Sequence, residues 1–268
     1  MTRPSVTTFA ELTAGYQNTA EMNDRVHGLL DAATWSDPLL ARHRKHVQEN
    51  QLGFGDAAFH ALWLRLLEAA AQRFGEVRAL EIGMFKGQVI SLWSYLGLSL
   101  GLKLRISAVT PLKGQPMPRS RILNWLRYRL DAAFRERIDN GNFYEDVDYE
   151  GVVRRLFADF GADFDSVRVY RGYSSDPKVL GDLRGETFHL IYVDGDHTYL
   201  GARHDLTEYG PKVVPGGWLV VDDAGCDLPG TTFWKGHRAV SDAVKVVPEM
   251  GFRNVLNVGH LRIFERNA

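Results

Sequence analysis

The sequence of 268 residues contains one cysteine, no excess charge of either sign and no long apolar run. The single cysteine, Cys226, excludes a disulfide within the chain. The 32 Lys and Arg residues almost balance the 33 Asp and Glu residues, which predicts neither nucleic acid nor an acidic membrane as a partner. The most apolar stretch, residues 89–104, is interrupted by serine, glycine and lysine and is too short for a membrane span. Because no apolar signal core follows Met1, we expect a cytoplasmic protein.

From about residue 76 onward, short apolar runs alternate with helical patterns. The runs are rich in β-branched and aromatic residues and too short for helices, so they predict buried strands. They comprise residues 77–82, 104–109, 167–170, 188–193 and 218–221. Two further strands, 252–258 and 260–264, flank Gly259 and predict a hairpin. This order predicts an α/β fold with a doubly wound, Rossmann-like, mostly parallel sheet and an antiparallel C-terminal hairpin.

The residues before the first strand carry helical patterns only. They predict an N-terminal helical cap over residues 1–75, followed by a larger domain over 76–268. The helical patterns of the cap cover residues 21–33, 38–48 and 56–74. Asp56 suits an N-cap of the last of these helices, and Gly75 suits its end.

Residues 111–148 depart from the α/β rhythm and form an insertion in the larger domain. Within it, residues 119–137 place apolar side chains on one side of a helical pattern and six arginines on the other, which predicts one amphipathic helix. Solvated surface or a contact between copies in a homo-oligomer accounts for such a helix. The aromatic side chains of Trp125 and Tyr128 suit an interface.

Acidic residues end two of the predicted strands. Asp194 follows the fourth strand, and the adjacent Asp222 and Asp223 follow the fifth. Because the carboxyl ends of parallel strands meet at one edge of a sheet, we expect these carboxylates to share a crevice. Their oxygens suit Mg²⁺ or another hard divalent cation, and capping or a solvated turn is the alternative for Asp222 and Asp223. His197 is placed to accept a proton from a hydroxyl in that crevice, whereas Asp196 is interpreted as a turn residue.

A glycine turn follows the first predicted strand. Glu81, Gly83 and Gly87 lie between this strand and a helix, where glycines let the backbone approach a ligand and the helix offers free N–H groups. A tight strand-to-helix turn explains the glycines equally well. The turn is not the dinucleotide fingerprint, because Phe85 replaces the middle glycine and the second strand ends at Thr110 without an acid. These differences disfavour a hydride-transferring oxidoreductase.

Small polar residues follow the third predicted strand. Ser174 and Ser175 stand where hydroxyl groups can reach the edge of an adenine ring. Asp176 before Pro177 also suits an N-cap, and the two interpretations are compatible.

Three motifs match a known family in order and spacing. They are the turn from Glu81 to Gly87, the sequence Val-Asp-Gly-Asp-His at 193–197, and Pro-Gly-Gly-Trp-Leu-Val-Val-Asp-Asp at 215–223. Together they resemble class I S-adenosylmethionine-dependent methyltransferases, in particular the metal-dependent O-methyltransferases. His197 stands where catechol-type members carry a lysine base. A histidine there is similar to the branch that methylates sugar hydroxyls of macrolides and related natural products.

The resemblance implies a site that binds S-adenosylmethionine and Mg²⁺. The residues implied for the cofactor are Glu81, Gly83 and Gly87 at its methionine part, Ser174 and Ser175 at its adenine, Thr110 at its ribose in place of the family's acid, and Asp194. The insertion is the alternative source of the ribose contact. For the metal, the implied ligands are Asp194, Asp222 and Asp223. His197 is the implied base.

The implied reaction is methyl transfer to a hydroxyl group of a small molecule, a sugar or a natural-product intermediate. Two alternatives stay open. In the first, the protein methylates nitrogen or carbon without a metal, and the aspartates are structural. In the second, it is a binding protein that keeps the fold without catalysis, an alternative that the missing ribose acid favours.

Overall fold

The computed structural model describes residues 7–268, in which a mixed sheet lies between two layers of helices. The strands are β1 (Glu76–Ile82), β2 (Lys103–Thr110), β3 (Arg168–Arg171), β4 (Phe188–Val193), β5 (Val213–Val221), β6 (Phe252–Val258) and β7 (Leu261–Arg266). Their order across the sheet is β3-β2-β1-β4-β5-β7-β6, and β7 runs antiparallel to both of its neighbours. This topology confirms the predicted fold class.

Helices cover both faces of this sheet. They are α1 (Phe9–Thr13), α2 (Ala20–Ser36), α3 (Pro38–Glu49), α4 (Ala58–Phe74), α5 (Gln88–Leu100), α6 (Arg121–Leu130), α7 (Ala132–Asp139), α8 (Glu150–Asp159), α9 (Pro177–Asp182), α10 (Tyr199–Tyr209) and α11 (Arg238–Ala243). Helices α1 to α5 and α8 contribute to the core on one face, and α9 to α11 to the core on the other. Among the described residues, no helix is long and apolar enough to cross a membrane.

The central strands are buried on both faces. In β4, Leu190 and Tyr192 pack with the helices of one layer, and Ile191 and Val193 pack with those of the other. Parallel strands covered on both sides have continuous apolar sequences. For this reason the predicted bounds of this strand, 188–193, are those of the structure.

The N-terminal helices share the core of the sheet. The fully buried Trp63 of α4 makes edge-to-face contacts with Trp93, at 5.2 Å between ring centroids, and with Tyr192, at 4.9 Å. Gly75 ends α4 as predicted, with a φ of 75°. The boundary between a cap and a second domain at residue 75 stays a prediction. The first six residues of the predicted cap lie outside the described part of the chain.

Two local predictions are wrong. Asp56 does not cap α4, which begins after Ala57 without a side-chain cap. Its carboxylate instead lies 2.8 Å from Nε2 of His27, so a tertiary contact takes the place of the local one. Residues 215–217 belong to β5 rather than to a turn before it. They form an irregularity inside the strand, since the pairing with β4 shifts between Phe188 and Leu190.

The insertion contains two helices where one was predicted. Helix α6 ends at Leu130, and the side chain of Asp131 accepts a hydrogen bond from the backbone N–H of Phe134, at 3.0 Å, and so caps α7. Helix α6 has no buried residue, and its Ile122 and Trp125 are exposed. A homo-oligomer formed through this helix stays a prediction.

Candidate active site

The carboxyl ends of β1, β4 and β5 border a cavity of about 1190 Å³. It is lined by most residues of the predicted site, namely Glu81, Gly83, Thr110, Ser174, Ser175, Asp194, His197, Asp222 and Asp223. Gly87 stands directly before α5. Pockets for drug-sized ligands measure roughly 300–1,000 Å³, so this cavity has room for a nucleoside cofactor and a small acceptor. A second cavity of about 500 Å³, beside Trp218, is lined by none of these residues.

The glycines of the first turn have structural reasons to be glycine. Gly83 has a φ of 92°, and a Cβ atom there would collide with the backbone carbonyl of Asp194. The same backbone stretch is tied to its neighbours, since Gly83 N–H donates to the carbonyl of Val109 at 3.0 Å and Asp194 N–H donates to that of Ile82 at 2.9 Å. Gly87 has a φ of 84°. The turn therefore brings three strand ends together, and its contact with a cofactor stays a prediction.

Glu81 is a buried carboxyl group that has no complete set of partners within the protein. It is 2% exposed, and its Oε2 atom has no hydrogen-bond partner among the described residues. Burial, followed by the nearby charge of Asp194, raises the pKa of Glu81 well above its ordinary value. Such an orphaned oxygen in the cavity is suited to accept a hydrogen bond from a ligand's ammonium or hydroxyl group.

The predicted adenine and ribose residues also line the cavity. Thr110 ends β2, and its hydroxyl oxygen accepts a hydrogen bond from the backbone N–H of Leu112 at 3.1 Å. The carbonyl of Ser174 accepts a hydrogen bond from the hydroxyl of Tyr209 at 2.7 Å. Asp176 precedes α9 as predicted, but its carboxylate accepts from the N–H of Tyr173, at 2.7 Å, instead of capping that helix.

Two carboxylates contact one tyrosine at the ends of β4 and β5, and Asp223 lies next to them. The hydroxyl of Tyr192 lies 2.8 Å from Oδ2 of Asp222 and 3.2 Å from Oδ2 of Asp194. Burial and the charge of Asp222 raise the pKa of Asp194 to about 8 and that of Asp223 to about 7. A buried cluster of this kind needs positive charge nearby, from histidines or from a bound cation.

His197 faces two of these carboxylates. Its Nε2 atom lies 3.3 Å from Oδ2 of Asp223 and 3.7 Å from Oδ1 of Asp194. Burial lowers the pKa of His197, but the hydrogen bond to Asp194 and the charges of Asp223 and Asp194 outweigh it and raise the pKa to about 9. The ring of His197 also stacks on that of His237, at 4.8 Å between centroids.

The insertion fixes the orientation of His197. The carbonyl of Asn140 lies 3.1 Å from Nδ1 of the histidine, and the side-chain oxygen of Asn142 accepts from its backbone N–H at 3.2 Å. Asn142 also donates to Asp196 at 3.0 Å, and Asp196 accepts from the N–H of Thr198 at 2.8 Å, which is the turn role predicted for it. No sequence pattern pointed to Asn140 or Asn142, because they lie in an irregular loop.

The backbone at Asp223 is strained. This residue has a φ of 54°, a region that non-glycine residues rarely adopt and that is often associated with functional sites. Its carbonyl accepts a hydrogen bond from the backbone N–H of His237 at 2.9 Å. The side chain of His237 returns to the same residue, with Nε2 at 3.6 Å from Oδ2 of Asp223. Burial and the nearby His197 lower the pKa of His237 to about 4.

His260 is a residue of the site that the sequence analysis missed. Its Nε2 atom lies 3.1 Å from Oδ1 of Asp222 and 3.6 Å from Oδ1 of Asp223. Burial opposes its protonation, but the charge and hydrogen bond of Asp222, together with the charges of Asp223 and Asp194, outweigh burial and raise the pKa of His260. The pairing of Val221 with Arg262 in the antiparallel β5–β7 ladder places His260 opposite Asp223. This contact between His260 and the two aspartates follows from the order of the strands in the sheet, which local sequence patterns do not give.

Two groups of side chains have the composition and spacing of a cation site. Among residues 7–268, the ligand atoms that lie within 4.8 Å of one another belong to His197, Asp223 and His237 in one group and to Asp222, Asp223 and His260 in the other. Asp222 and Asp223 thus stand together with imidazoles in these groups, and their role as metal ligands stays a prediction. Asp194 belongs to neither group, and its role as a metal ligand stays a prediction.

The sheet order, the glycine turn and the strand-end carboxylates define the class I methyltransferase fold. A family model described as a methyltransferase domain matches residues 80–224 of the sequence. The chain therefore belongs to this methyltransferase family, and it is an S-adenosylmethionine-dependent methyltransferase.

Solved structures with the same fold include several O-methyltransferases. The O-methyltransferase NovP is 17% identical, with a TM-score of 0.55 over 78% of this chain and 79% of its own. A putative caffeoyl-CoA O-methyltransferase from Staphylococcus aureus is 12% identical, with a TM-score of 0.57 over 91% and 99%. The calicheamicin methyltransferase CalS11 is 15% identical, with a TM-score of 0.52 over 95% and 96%. No curated protein matches the sequence. At these identities the likeness shows the fold.

Proposed function

We propose that the protein methylates a hydroxyl group of a small molecule, with a divalent cation at the carboxylate cluster and His197 as the base. The observation that carries the proposal is the setting of His197. Its Nδ1 atom faces the carbonyl of Asn140 at 3.1 Å, which favours a proton on Nδ1. Its Nε2 atom then points into the carboxylate cluster, 3.3 Å from Asp223, and becomes the proton acceptor when a bound cation offsets the carboxylates that raise the pKa of His197.

The cofactor would lie along the glycine turn. There the unpartnered oxygen of Glu81 would accept hydrogen bonds from the amino acid part of S-adenosylmethionine, beside the close contact of Gly83 with the backbone of Asp194. Thr110, Ser174 and Ser175, which also line the cavity, would contact its ribose and adenine. The sulfonium would then lie between the turn and the carboxylate cluster.

In the proposed step, His197 removes the proton of the acceptor hydroxyl while the acceptor oxygen forms a bond to the methyl carbon. The bond between that carbon and sulfur breaks, and S-adenosylhomocysteine leaves with the electron pair. A divalent cation held by Asp222 and Asp223 would supply positive charge that lowers the pKa of the acceptor hydroxyl and offsets the effect of the carboxylates on His197. The remaining contribution of the protein is to position the acceptor next to the methyl group.

The acceptor side of the cavity is partly aromatic. Tyr144, Leu200 and Trp234 line the cavity around the histidines, and Trp234 is 56% exposed. Such a surface suits a ring-shaped acceptor that carries a hydroxyl, as in a sugar or a natural-product intermediate. The similar fold of the calicheamicin methyltransferase CalS11 supports this choice of acceptor class.

The proposal is tested with a panel of phenols, deoxysugars and glycosides incubated with S-adenosylmethionine and the purified protein. S-adenosylhomocysteine is measured before EDTA, after EDTA, and after a divalent cation is restored in excess. We expect product with at least one hydroxyl acceptor, its loss in EDTA, and its recovery with the cation. Undiminished turnover in EDTA would show that the aspartates are structural. Methylation of amines instead of hydroxyls would contradict the proposed acceptor class.

A further inference from the structure

Imidazole groups surround the Asp222 and Asp223 pair on two sides. The two carboxylate oxygens of Asp223 face different histidines. Oδ2 faces Nε2 of His197, at 3.3 Å, and Nε2 of His237, at 3.6 Å. Oδ1 faces Nε2 of His260, at 3.6 Å, and this nitrogen lies 3.1 Å from Oδ1 of Asp222. The cluster therefore offers two separate groups of donor atoms that share Asp223.

His260 is held firmly in its place. It lies in the turn between β6 and β7, and its carbonyl accepts a hydrogen bond from the N–H of Ala224 at 3.0 Å. Its ring packs edge-to-face against Phe59, at 4.8 Å, and against Trp234, at 5.0 Å. It is 4% exposed, and its Nδ1 atom has no partner among the described residues, so only Nε2 is directed at polar atoms.

The two groups differ in what they leave free for catalysis. The proposed function needs His197 as a proton acceptor, and a cation bound to its Nε2 would block that role. A cation between Asp222, Asp223 and His260 leaves Nε2 of His197 free on the other side of Asp223. In that arrangement His237 supports the base by stacking on its ring at 4.8 Å.

We infer that His260 is a direct ligand of the cation, and that it shifts the preference of the site from Mg²⁺ toward a first-row transition ion. This inference rests on the cation-dependent function proposed above. Oxygen-only sites suit Mg²⁺ and Ca²⁺, whereas imidazole suits Fe²⁺, Co²⁺, Ni²⁺ and Zn²⁺. Sites with a nitrogen ligand generally bind transition ions more tightly than they bind Mg²⁺. The informative quantity is therefore the change in the ratio of the Co²⁺ affinity to the Mg²⁺ affinity when the imidazole is removed.

The experiment measures metal affinity in the absence of cofactor and acceptor. Protein stripped with EDTA and freed from the chelator is titrated calorimetrically with Co²⁺ and with Mg²⁺. We expect His260→Gln to lower the Co²⁺ affinity by about tenfold or more while the Mg²⁺ affinity changes by less than about threefold. Asp222→Asn should lower the affinity for both ions. His46→Gln, which changes a half-buried histidine of α3 outside the cavity, is the matched control and should change neither.

A spectroscopic measurement on the unaltered chain does not depend on whether the variants fold. Pulsed electron paramagnetic resonance of the Mn²⁺-loaded protein should show coupling to a directly bound imidazole nitrogen. The coupling should persist in His197→Ala and be absent in His260→Gln. Absence of nitrogen coupling in the unaltered protein, or a Co²⁺ affinity of His260→Gln within about twofold of the unaltered value, would overturn the inference.

These outcomes also separate the inference from the proposed function. If ions bind, and Asp222→Asn lowers their affinity but His260→Gln does not, the cation is held by oxygen ligands alone. The inference then fails and the cation-dependent function stands. If no divalent ion binds to the unaltered protein, both are wrong.

Discussion

The carbonyl oxygen of Asn140 lies 3.1 Å from Nδ1 of His197, on the opposite side of the imidazole ring from the carboxylates. This contact ties the insertion to the proposed base, because it favours the tautomer that leaves Nε2 unprotonated. The stack of His237 on the same ring restricts its rotation. The geometry of the base thus depends on a segment with no counterpart in the regular α/β rhythm.

Replacement of His197 by alanine should remove catalysis and leave the cofactor site in place. We expect turnover to fall by about 10²-fold to 10⁴-fold, the usual contribution of a general base. The affinity for S-adenosylmethionine, measured calorimetrically, should stay within about threefold of the unaltered value, because His197 is not one of the residues proposed to contact the cofactor. His46→Ala serves as the control. Full turnover in His197→Ala would exclude this residue as the base.

Replacement of Glu81 by glutamine should separate cofactor binding from stability. The buried carboxyl group has an orphaned oxygen and a raised pKa, so a neutral side chain of the same shape should fold at least as well. Loss of a hydrogen bond to the charged ammonium group of the cofactor should weaken the binding of S-adenosylmethionine by roughly tenfold or more. Calorimetric titration and urea unfolding measure the two quantities. Glu76→Gln, at the exposed start of β1, is the control, and equal affinities in the two variants would contradict a cofactor contact at Glu81.

Replacement of Gly83 by alanine should cost more than its positive φ alone explains. A left-handed conformation costs a non-glycine residue roughly 1–2 kcal/mol, and Gly161→Ala isolates this cost, since its φ is 68° and no atom lies within 4 Å of the added Cβ. In Gly83→Ala the Cβ would also collide with the carbonyl of Asp194. We expect a larger loss of unfolding free energy in urea and a loss of S-adenosylmethionine binding. Equal losses of stability in both variants would show that the overlap is relieved without cost.

His43 should make the protein less stable in acid. Burial, followed by the charges of His46 and Arg44, lowers its pKa from 6.5 to about 3 in the folded chain. The folded state keeps His43 neutral while the unfolded state takes up a proton below about pH 6.5, so its stabilising contribution is complete above that pH and declines as the pH falls toward 3. This linkage amounts to roughly 2 kcal/mol at about pH 5.

Urea unfolding at neutral and at acid pH tests this linkage. His43→Gln should be less stable at neutral pH, because His43 lies 3.0 Å from both His60 and Ser91, and its stability should depend less on pH. The control Lys45→Gln, at an exposed position of α3, should keep the pH dependence of the unaltered chain. An unchanged pH dependence in His43→Gln would mean that this histidine is protonated in the folded state.

The sheet could be predicted because its strands are buried on both faces. The runs around Leu190 and Val220 are continuous and apolar, and the ends of such strands meet at one edge, so the grouping of Asp194 with Asp222 followed from the sequence. The contact of Asp56 with His27 could not be predicted. It joins residues from different helices, and a local capping rule does not include such contacts.

The rest of the site depends on non-local placement. His260 reaches the carboxylates because β7 inserts antiparallel between β5 and β6, an order that no local pattern of the hairpin specifies. Asn140 and Asn142 reach His197 from an irregular segment without hydrophobic periodicity. Both contacts arise from topology and loop conformation, which single-sequence patterns do not encode.

The proposed function depends on a divalent cation at the carboxylate cluster next to His197. The most direct measurement is an anomalous difference map from crystals grown with S-adenosylhomocysteine and Mn²⁺. We predict a peak within coordination distance of Asp222 and Asp223, with the cofactor product along the turn at Gly83. Bound S-adenosylhomocysteine without any peak at these two aspartates would contradict cation binding at this cluster.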